Sequence, residues 1–270
     1  MTHRKSAVAG QFYPASCEEI EAYIGRFNEV LEEKNFDSSS VALIPRAIIV
    51  PHAGYIYSGF TANVAFKTAQ ELSGEIDRVV VIGPSHRIYI KGASVALFDS
   101  YDSPCAPLAI DTDLSKELTA NFEFINYLLS AHHEHSTEVQ MPFVKHYFDE
   151  AEVVEIVYGD VEAEELSKLI DELFKQKRTL VVISTDLSHF HSLQQAKTLD
   201  ALCMNGVADL DLAALEKGCE ACGLLGVKAL TLSARYHGLK SKLLNYSTSA
   251  DVTKDQSSVV GYLSAVIGEV

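Results

Sequence analysis

Three runs of strand length in this sequence are almost entirely apolar, and helical patterns alternate with them. The runs are RAIIV at residues 46–50, RVVVIGP at 78–84 and TLVVIST at 179–185. A strand that is apolar at successive positions is covered on both faces, as in a parallel sheet between layers of helices. Amphipathic segments such as 161–177 separate such runs, which is typical of βαβ units. The pattern predicts an α/β fold.

The chain of 270 residues has no internal repeat and no linker rich in Pro, Gly or Ser. We therefore predict a single domain, residues 1–270, with a central mixed, largely parallel sheet flanked by helices. Ser58 is the predicted N-cap of one helix, and Pro142 limits or kinks another. Beyond the three runs, we predict strands at 94–98, 152–158 and 257–268 and helices at 18–34, 58–72, 113–129, 136–148, 161–177, 193–207 and 221–238.

The composition excludes several classes of function. The formal net charge is −15, so the surface repels phosphate backbones, and we expect no nucleic-acid partner. Gly10 and Gln11 interrupt the first apolar run, which argues against a signal peptide, and no run is long enough to span a bilayer. Five scattered cysteines predict reduced thiols rather than a disulfide framework. We expect a soluble cytoplasmic protein with no membrane association.

Three histidines follow predicted strands at similar distances. His52 follows RAIIV, His86 follows RVVVIGP, and His189 follows the third run after a short segment. In open α/β sheets, ligands bind beyond the carboxyl ends of the strands. Imidazole binds metals and transfers protons near neutral pH. We therefore expect the three side chains to share one site, although a single histidine of this kind is more often a hydrogen-bonded loop residue.

One acidic residue and a histidine-rich tract could join this site. Asp186 precedes His189 in STDLSHF and could bind a metal, orient an imidazole or close an Asx-turn. The tract AHHEH contains Glu134 and His135, and tracts of this kind suggest metal binding. Sequence neighbours rarely all face one centre, so one or two members of the tract are expected to take part.

Cys222 is the cysteine best placed for chemistry. It forms a CxxC pair with Cys219, but a structural zinc site would need a second pair, which the sequence lacks. Cys222 lies at the N-terminus of a predicted helix, where a thiol pKa is lowered and the thiolate can bind a metal or act as a nucleophile. The alternative is a buried cysteine that packs as a small apolar side chain. Glycine-rich phosphate loops and a GxSxG elbow are absent from the sequence.

Six motifs occur in an order that resembles the Memo family, also called AmmeMemoRadiSam system protein B. They are SAVAGQFYP, PHAGYIYSG, GPSH, EHSTEVQMPF, STDLSHF and ACG, and they extend from residue 6 along most of the chain. The resemblance implies the fold of the class III extradiol ring-cleaving dioxygenases, which are non-haem iron enzymes. It also implies a metal site formed by His52, His86 and Cys222.

The same resemblance implies roles for further residues. Asp186, His189, Glu134 and His135 correspond to polar residues of the family's pocket, and His189 is expected to act as general acid or base. We expect Tyr55 to line the pocket. The expected cofactor is iron(II) or copper, with zinc as a further candidate. Small molecules or peptides are the expected ligands, and radical-SAM proteins are expected partners by association.

Three functions are compatible with these residues. The first is a metal-dependent redox enzyme with dioxygenase-like activity on a small substrate. The second is a protein that binds a metal or a peptide without turnover. The third is a zinc-dependent hydrolase, because two histidines, a cysteine and water also form an open zinc site. The sequence departs from the family at Ser6, at YDSPCAPLAID and at LLGV after Cys222, so the substrate is not determined.

Overall fold

The computed structural model describes residues 2–270, and residue 1 of the predicted domain lies outside them. Most of the strands belong to one nine-stranded mixed sheet. The strands are β1 (His3–Arg4), β2 (Ile44–Val50), β3 (Arg78–Pro84), β4 (Ala93–Val95), β5 (Ser100–Tyr101), β6 (Leu108–Ala109), β7 (Ile125–Asn126), β8 (Glu152–Tyr158), β9 (Thr179–Ser184), β10 (His189–His191), β11 (Lys240–Thr248) and β12 (Val259–Glu269).

Helices cover both faces of this sheet. A π-helical turn at Tyr55–Gly59 precedes the second helix, and 3-10 turns lie at Ser38–Val41 and Leu129–His132. The α-helices are α1 (Cys17–Glu33), α2 (Phe60–Leu72), α3 (Thr112–Asn121), α4 (His135–Glu138), α5 (Met141–Tyr147), α6 (Ala163–Lys175), α7 (Leu193–Asp209), α8 (Leu212–Leu215), α9 (Leu224–Tyr236) and α10 (Ala250–Thr253).

The large sheet has the strand order β10-β12-β2-β9-β3-β8-β4-β7, and β11 also pairs with β12. The four central strands β2, β9, β3 and β8 are parallel, whereas β12 and β4 run antiparallel to their central neighbours. Strands β1, β5 and β6 form a separate small sheet. The predicted α/β fold with a mixed, largely parallel sheet flanked by helices is confirmed.

The apolar strands are buried because each face of the sheet has its own core. In β3, Val80 and Ile82 pack with the side of the core that includes α6 and α9. Val79 and Val81 point to the other side, which includes α1, α2 and α5. Alternate residues of one strand therefore fill two cores, which explains why the strand is apolar at successive positions from Val79 to Ile82.

Several predicted elements differ in their bounds. The helix expected from residue 58 begins at Phe60, and the predicted N-cap at Ser58 is wrong: helix α2 continues out of the π-helical turn, and the Ser58 hydroxyl donates to the carbonyl of Ala53. The helix predicted to reach residue 129 ends at Asn121. Strand β11 was not predicted, because its residues are mostly half-buried and mix polar with apolar side chains.

Four of the cysteines form disulfides, so the expectation of reduced thiols is wrong for them. Cys17 pairs with Cys105 and Cys203 with Cys219, whereas Cys222 is free. The first pair is 88 residues apart in sequence, and it forms because a loop between β5 and β6 returns to the start of α1. Spacing alone does not reveal such a contact.

No helix within residues 2–270 has the length and apolar character needed to cross a membrane.

Candidate metal centre

The carboxyl ends of three adjacent strands bring the candidate residues to one edge of the sheet. Strand β9 lies between β2 and β3 and is parallel to both. His52 comes two residues after β2, His86 two residues after β3, and Asp186 two residues after β9. The centroids of the His52 and His86 rings are 5.2 Å apart. Neighbouring strand ends therefore place these groups around one point, as expected for an open α/β sheet.

Three polar groups contact His52, and they belong to Asp186, Ser184 and Cys222. Its backbone N–H donates to Oδ1 of Asp186 over 2.8 Å, and its Nδ1 lies 3.0 Å from the Ser184 hydroxyl. This leaves Nε2 facing the Cys222 sulfur at 3.4 Å. Burial lowers the pKa of His52 well below its usual range, and the nearby His86 and His135 act in the same direction. The imidazole is therefore neutral at neutral pH, which is the form that binds a metal.

Cys222 lies in the turn before α9, with its sulfur directed at His52. The Asp186 N–H donates to this sulfur over 3.3 Å. Burial raises the pKa of the Cys222 thiol to about 12, and the Asp186 carboxylate adds to the effect. The pKa of Cys222 is therefore raised by burial, and the lowered pKa predicted from its place at the helix start is wrong. A bound metal cation would supply the positive charge that a buried thiolate needs.

Glu134 joins two of the histidines through a single carboxylate. It accepts hydrogen bonds from the backbone N–H groups of His86 at 2.7 Å and His135 at 2.8 Å. Its Oε1 also lies 3.3 Å from Nδ1 of His86 and 2.8 Å from Nδ1 of His135. Burial opposes ionisation, but the hydrogen bonds from His135 and His86 outweigh it and hold the pKa of Glu134 well below its usual range. Such a carboxylate fixes the ring orientation of a ligating histidine.

His135 completes a cluster of three imidazoles. Its ring centroid is 4.7 Å from that of His86 and 5.4 Å from that of His52. The Phe12 ring lies 4.7 Å away on another side. The neighbouring His133 is exposed, and His132 is buried and contacts Glu155 instead. One histidine of the tract therefore joins the cluster.

Asp186 and His189 add two groups that can exchange protons. Burial raises the pKa of Asp186, and the hydrogen bond from the His52 N–H and the charge of His189 partly offset this. Oδ2 of Asp186 lies 4.0 Å from Nε2 of His52. His189 is half-buried on β10, and its charge also acts on His52. Both residues lie at the same edge of the sheet as His52.

Tyr55 occupies a different position from the one expected. Its ring stacks on Phe143 with centroids 4.6 Å apart, and its hydroxyl donates to the carbonyl of Val139 over 3.2 Å. The side chain is buried in the core on the α1, α2 and α5 side of the sheet. These contacts place Tyr55 among core aromatic residues rather than with the three imidazoles.

Two residues behind His52 were missed by sequence reasoning. The Gln140 amide donates to the carbonyl of Pro51 and to the Ser184 hydroxyl, both over 2.9 Å. Ser184 in turn donates to the carbonyl of Ser136 over 2.5 Å. These contacts fix the strand end and the hydroxyl that meet His52. The only sequence signal was that Ser184 lies in STDLSHF and Gln140 in EHSTEVQMPF, two motifs that were noted for other residues.

A buried ion pair supports the helix that carries His135. Arg4 pairs with Glu138, and the Arg4 guanidinium also donates to the carbonyl of Glu134 over 3.4 Å. Glu138 accepts a further hydrogen bond from the Tyr13 hydroxyl over 2.9 Å. Because unpaired charges are costly in a protein interior, this network holds the N-terminal segment against α4.

The donor atoms form two overlapping groups that could hold a metal. One consists of His52, His86 and Cys222, the other of His86, Glu134 and His135, and within each group the atoms lie within 4.8 Å of one another. Imidazole and thiolate together suit iron, copper or zinc rather than magnesium or calcium. Since Nδ1 of His52 and of His86 already has a protein partner, Nε2 of each ring is free to bind an ion.

Comparison with known proteins was made for the whole chain. The family described as Memo-like protein matches residues 4–266. A MEMO1 family protein of Thermoplasma volcanium is 32% identical, covering 97% of both chains. One from Aquifex aeolicus is 32% identical over 98% of this chain and 99% of its own. The crystal structure of an uncharacterized protein from Escherichia coli K12 matches 82% of this chain and 98% of its own, with a TM-score of 0.51 and 13% identity, which is a likeness of fold.

Proposed function

Because the chain belongs to the Memo-like family, we propose that it binds one transition-metal ion and uses it in a redox reaction on a small molecule. The ligands in this proposal are His52, His86 and Cys222. The observation that carries it is the convergence of one donor atom from each of them within 4.8 Å of the others. Three protein ligands on one side of an ion leave positions for substrate, as in the open sites of metalloenzymes.

Iron(II) or copper is the proposed metal. The soft thiolate of Cys222 favours copper(I), iron or zinc over hard cations. When bound, such a metal supplies one-electron chemistry and binds substrate through its open positions. Zinc in the same three ligands would instead favour hydrolysis, since it has no redox chemistry. The identity of the metal therefore separates the two functions.

The remaining polar groups hold the ligands and move protons. Glu134 orients the His86 ring, and Ser184 orients the His52 ring. Asp186, with its raised pKa, and the half-exposed His189 are the proposed acid and base. His135 faces the same space and can exchange a proton with the substrate, while the ionised Glu134 carboxylate orients its ring. Tyr55 is the first residue of the π-helical turn that follows His52, and in this proposal it acts at a distance by anchoring that turn on Phe143.

The ligand assignment is tested by metal content after purification without oxygen. We expect His52→Ala to lose the ion, because Nε2 of His52 faces the Cys222 sulfur. His133→Ala is the matched control, since this exposed residue lies in the same histidine-rich tract but in neither group of donor atoms. Elemental analysis should find about one iron or copper per chain in the wild type and the control.

An unchanged metal content in His52→Ala would contradict the assignment. If the wild-type protein held zinc alone, hydrolysis would replace the redox reaction as the proposed function. A chain that holds iron or copper but turns over none of a set of catechols and small reductants would favour a metal-binding role without turnover. Radical-SAM proteins are the proposed partners, by association with the family.

A further inference from the structure

A second group of metal-binding side chains surrounds the Cys17–Cys105 disulfide. Cys17 is the first residue of α1, and Glu21 lies one turn later on the same face of that helix. Cys105 lies in the loop between β5 and β6, with its sulfur 4.0 Å from Oε1 of Glu21. One donor atom from each of the three residues lies within 4.8 Å of the others.

A histidine on a separate helix holds the Glu21 carboxylate. Nδ1 of His146, on α5, lies 2.8 Å from Oε2 of Glu21. The His146 side chain is 26% exposed and that of Glu21 45% exposed, so an ion can reach them from solvent. The two sulfurs and the Glu21 carboxylate thus lie together where α1 meets the β5–β6 loop, and His146 of α5 contacts that carboxylate. None of these residues belongs to the metal centre at the strand ends.

We propose that Cys17, Cys105 and Glu21 form a zinc site, with His146 holding the Glu21 carboxylate, and that this site is available only when the Cys17–Cys105 disulfide is reduced. Two thiolates and a carboxylate are donors of the types that Zn²⁺ takes, and a water molecule can complete a tetrahedral site. The soft sulfur ligands select against magnesium and calcium. Cys17 at the start of α1 is well placed to be a thiolate, because the first turn of a helix stabilises negative charge.

The redox step needs a reductant, and a dithiol is the class that fits. The S–S bond accepts two electrons and two protons from the dithiol, which becomes a disulfide itself. Zn²⁺ then replaces the two thiol protons, which pass to solvent. Oxidation of the thiolates by a disulfide reverses the step and releases the ion. Cys17 and Cys105 are therefore joined by a disulfide in the oxidised form and by a bound zinc ion in the reduced form.

The second disulfide of the chain provides a matched control. Cys203 is 1% exposed and Cys219 is 7% exposed, and both pack in the core on the α6 and α9 side of the sheet. The groups of close donor atoms found within residues 2–270 include the Cys17–Cys105 pair but not this one. Reduction of Cys203–Cys219 should therefore produce thiols without a zinc site.

The test measures zinc bound by the full-length chain carrying Cys222→Ser, which removes the thiolate of the other centre. The protein is reduced with dithiothreitol, desalted without oxygen and dialysed against Zn²⁺. We expect the reduced form to hold one more zinc than the oxidised form. Adding Cys17→Ser and Cys105→Ser should abolish this difference, whereas adding Cys203→Ser and Cys219→Ser should leave it intact.

The proposal is overturned if reduction adds no zinc, or if the added zinc survives Cys17→Ser with Cys105→Ser. If that double variant does not fold, His146→Ala decides the matter. Its zinc affinity in the reduced form should fall at least about tenfold, since loss of even an outer-shell partner has that effect. An unchanged affinity would also overturn the proposal. Neither outcome depends on whether His52, His86 and Cys222 bind iron or copper.

Discussion

Gly223 shows how closely single residues are packed beside the Cys222 sulfur. A Cβ atom at this position would lie 2.7 Å from Cβ of Thr185 and 2.9 Å from the carbonyl oxygen of Ser184. The Gly223 N–H donates to the Thr185 hydroxyl over 2.8 Å. Glycine is therefore required because the turn before α9 passes directly over the end of β9. The close approach sets the position of Cys222 relative to His52.

We expect Gly223→Ala to lower the free energy of unfolding by about 1–3 kcal/mol, the usual cost of overpacking a well-filled site. The same shift should reduce the metal content, because Cys222 moves with the turn. Gly25→Ala is the control: it is exposed within α1, no atom lies within 4 Å of the added Cβ, and alanine favours a helix. Urea unfolding and elemental analysis check both, and a Gly223→Ala protein as stable as wild type would contradict the clash.

The residues of the site differ in how far the sequence predicted them. Chain order predicted that His52 and His86 would meet, since both follow buried strands. Ser184 and Gln140 were missed because their roles depend on which segments pack against the end of β2. Such tertiary contacts cannot be read from the local sequence. The raised pKa of Cys222 was missed for the same reason, since burial depends on the fold and local helix geometry does not reveal it.

At the scale of elements, Asp200 ties helix α7 to the sheet. Its carboxylate accepts the Ser188 N–H over 3.0 Å and the Tyr246 hydroxyl over 2.7 Å. Ser188 directly precedes His189, and Tyr246 lies on β11. Asp200 also packs against Gly261 of β12, where a side chain would collide with it. One buried carboxylate therefore joins a helix, two strands and the segment that carries His189.

We expect Tyr246→Phe to lower the free energy of unfolding by about 1–3 kcal/mol, as for loss of a hydrogen bond to a charged group. Helix α7 and strand β11 should also exchange their amide hydrogens faster. Tyr236→Phe serves as control, because this side chain is 80% exposed and its loss of a hydroxyl should change little. Equal stability of the two variants would show that Asp200 does not need the Tyr246 contact.

The predicted bounds of the elements agree closely with the observed ones in the interior of the sheet and poorly at its edge. Strands β3 and β8 have the predicted bounds because continuous apolar runs permit few alternatives. Strand β11 was missed because its half-buried residues give no regular alternation. An edge strand depends on its partner for its structure, so its own composition carries little signal.

At the scale of the whole molecule, burial keeps many phenols neutral. Burial is the largest cause that raises the pKa of seven buried or half-buried tyrosines: Tyr13, Tyr55, Tyr101, Tyr147, Tyr158, Tyr246 and Tyr262. In the unfolded chain these groups ionise near their usual pKa of about 10. Above that pH the unfolded chain holds fewer protons than the folded protein, so stability falls as pH rises.

We therefore expect these phenols to leave the free energy of unfolding unchanged below about pH 9. Above about pH 10 their ionisation in the unfolded chain should lower it steeply. Tyrosinate absorbance and circular dichroism, followed together across this range, provide the measurement. The buried phenols should ionise in one step that coincides with loss of structure. A gradual rise of tyrosinate absorbance with full helical signal retained would contradict the expectation.

The position of β12 next to β2 has a consequence for synthesis on the ribosome. Strand β2, which leads to His52, pairs on one side with β9 and on the other with β12. About 210 residues separate β2 from β12, which at about 5–20 residues per second amounts to roughly 10–40 s. For that time the growing chain holds an apolar strand with one edge open to other strands. The order of translation thus makes the strand that leads to His52 the one that waits longest for its partner. Nascent chains stalled before residue 259 are the form in which a chaperone would bind this strand.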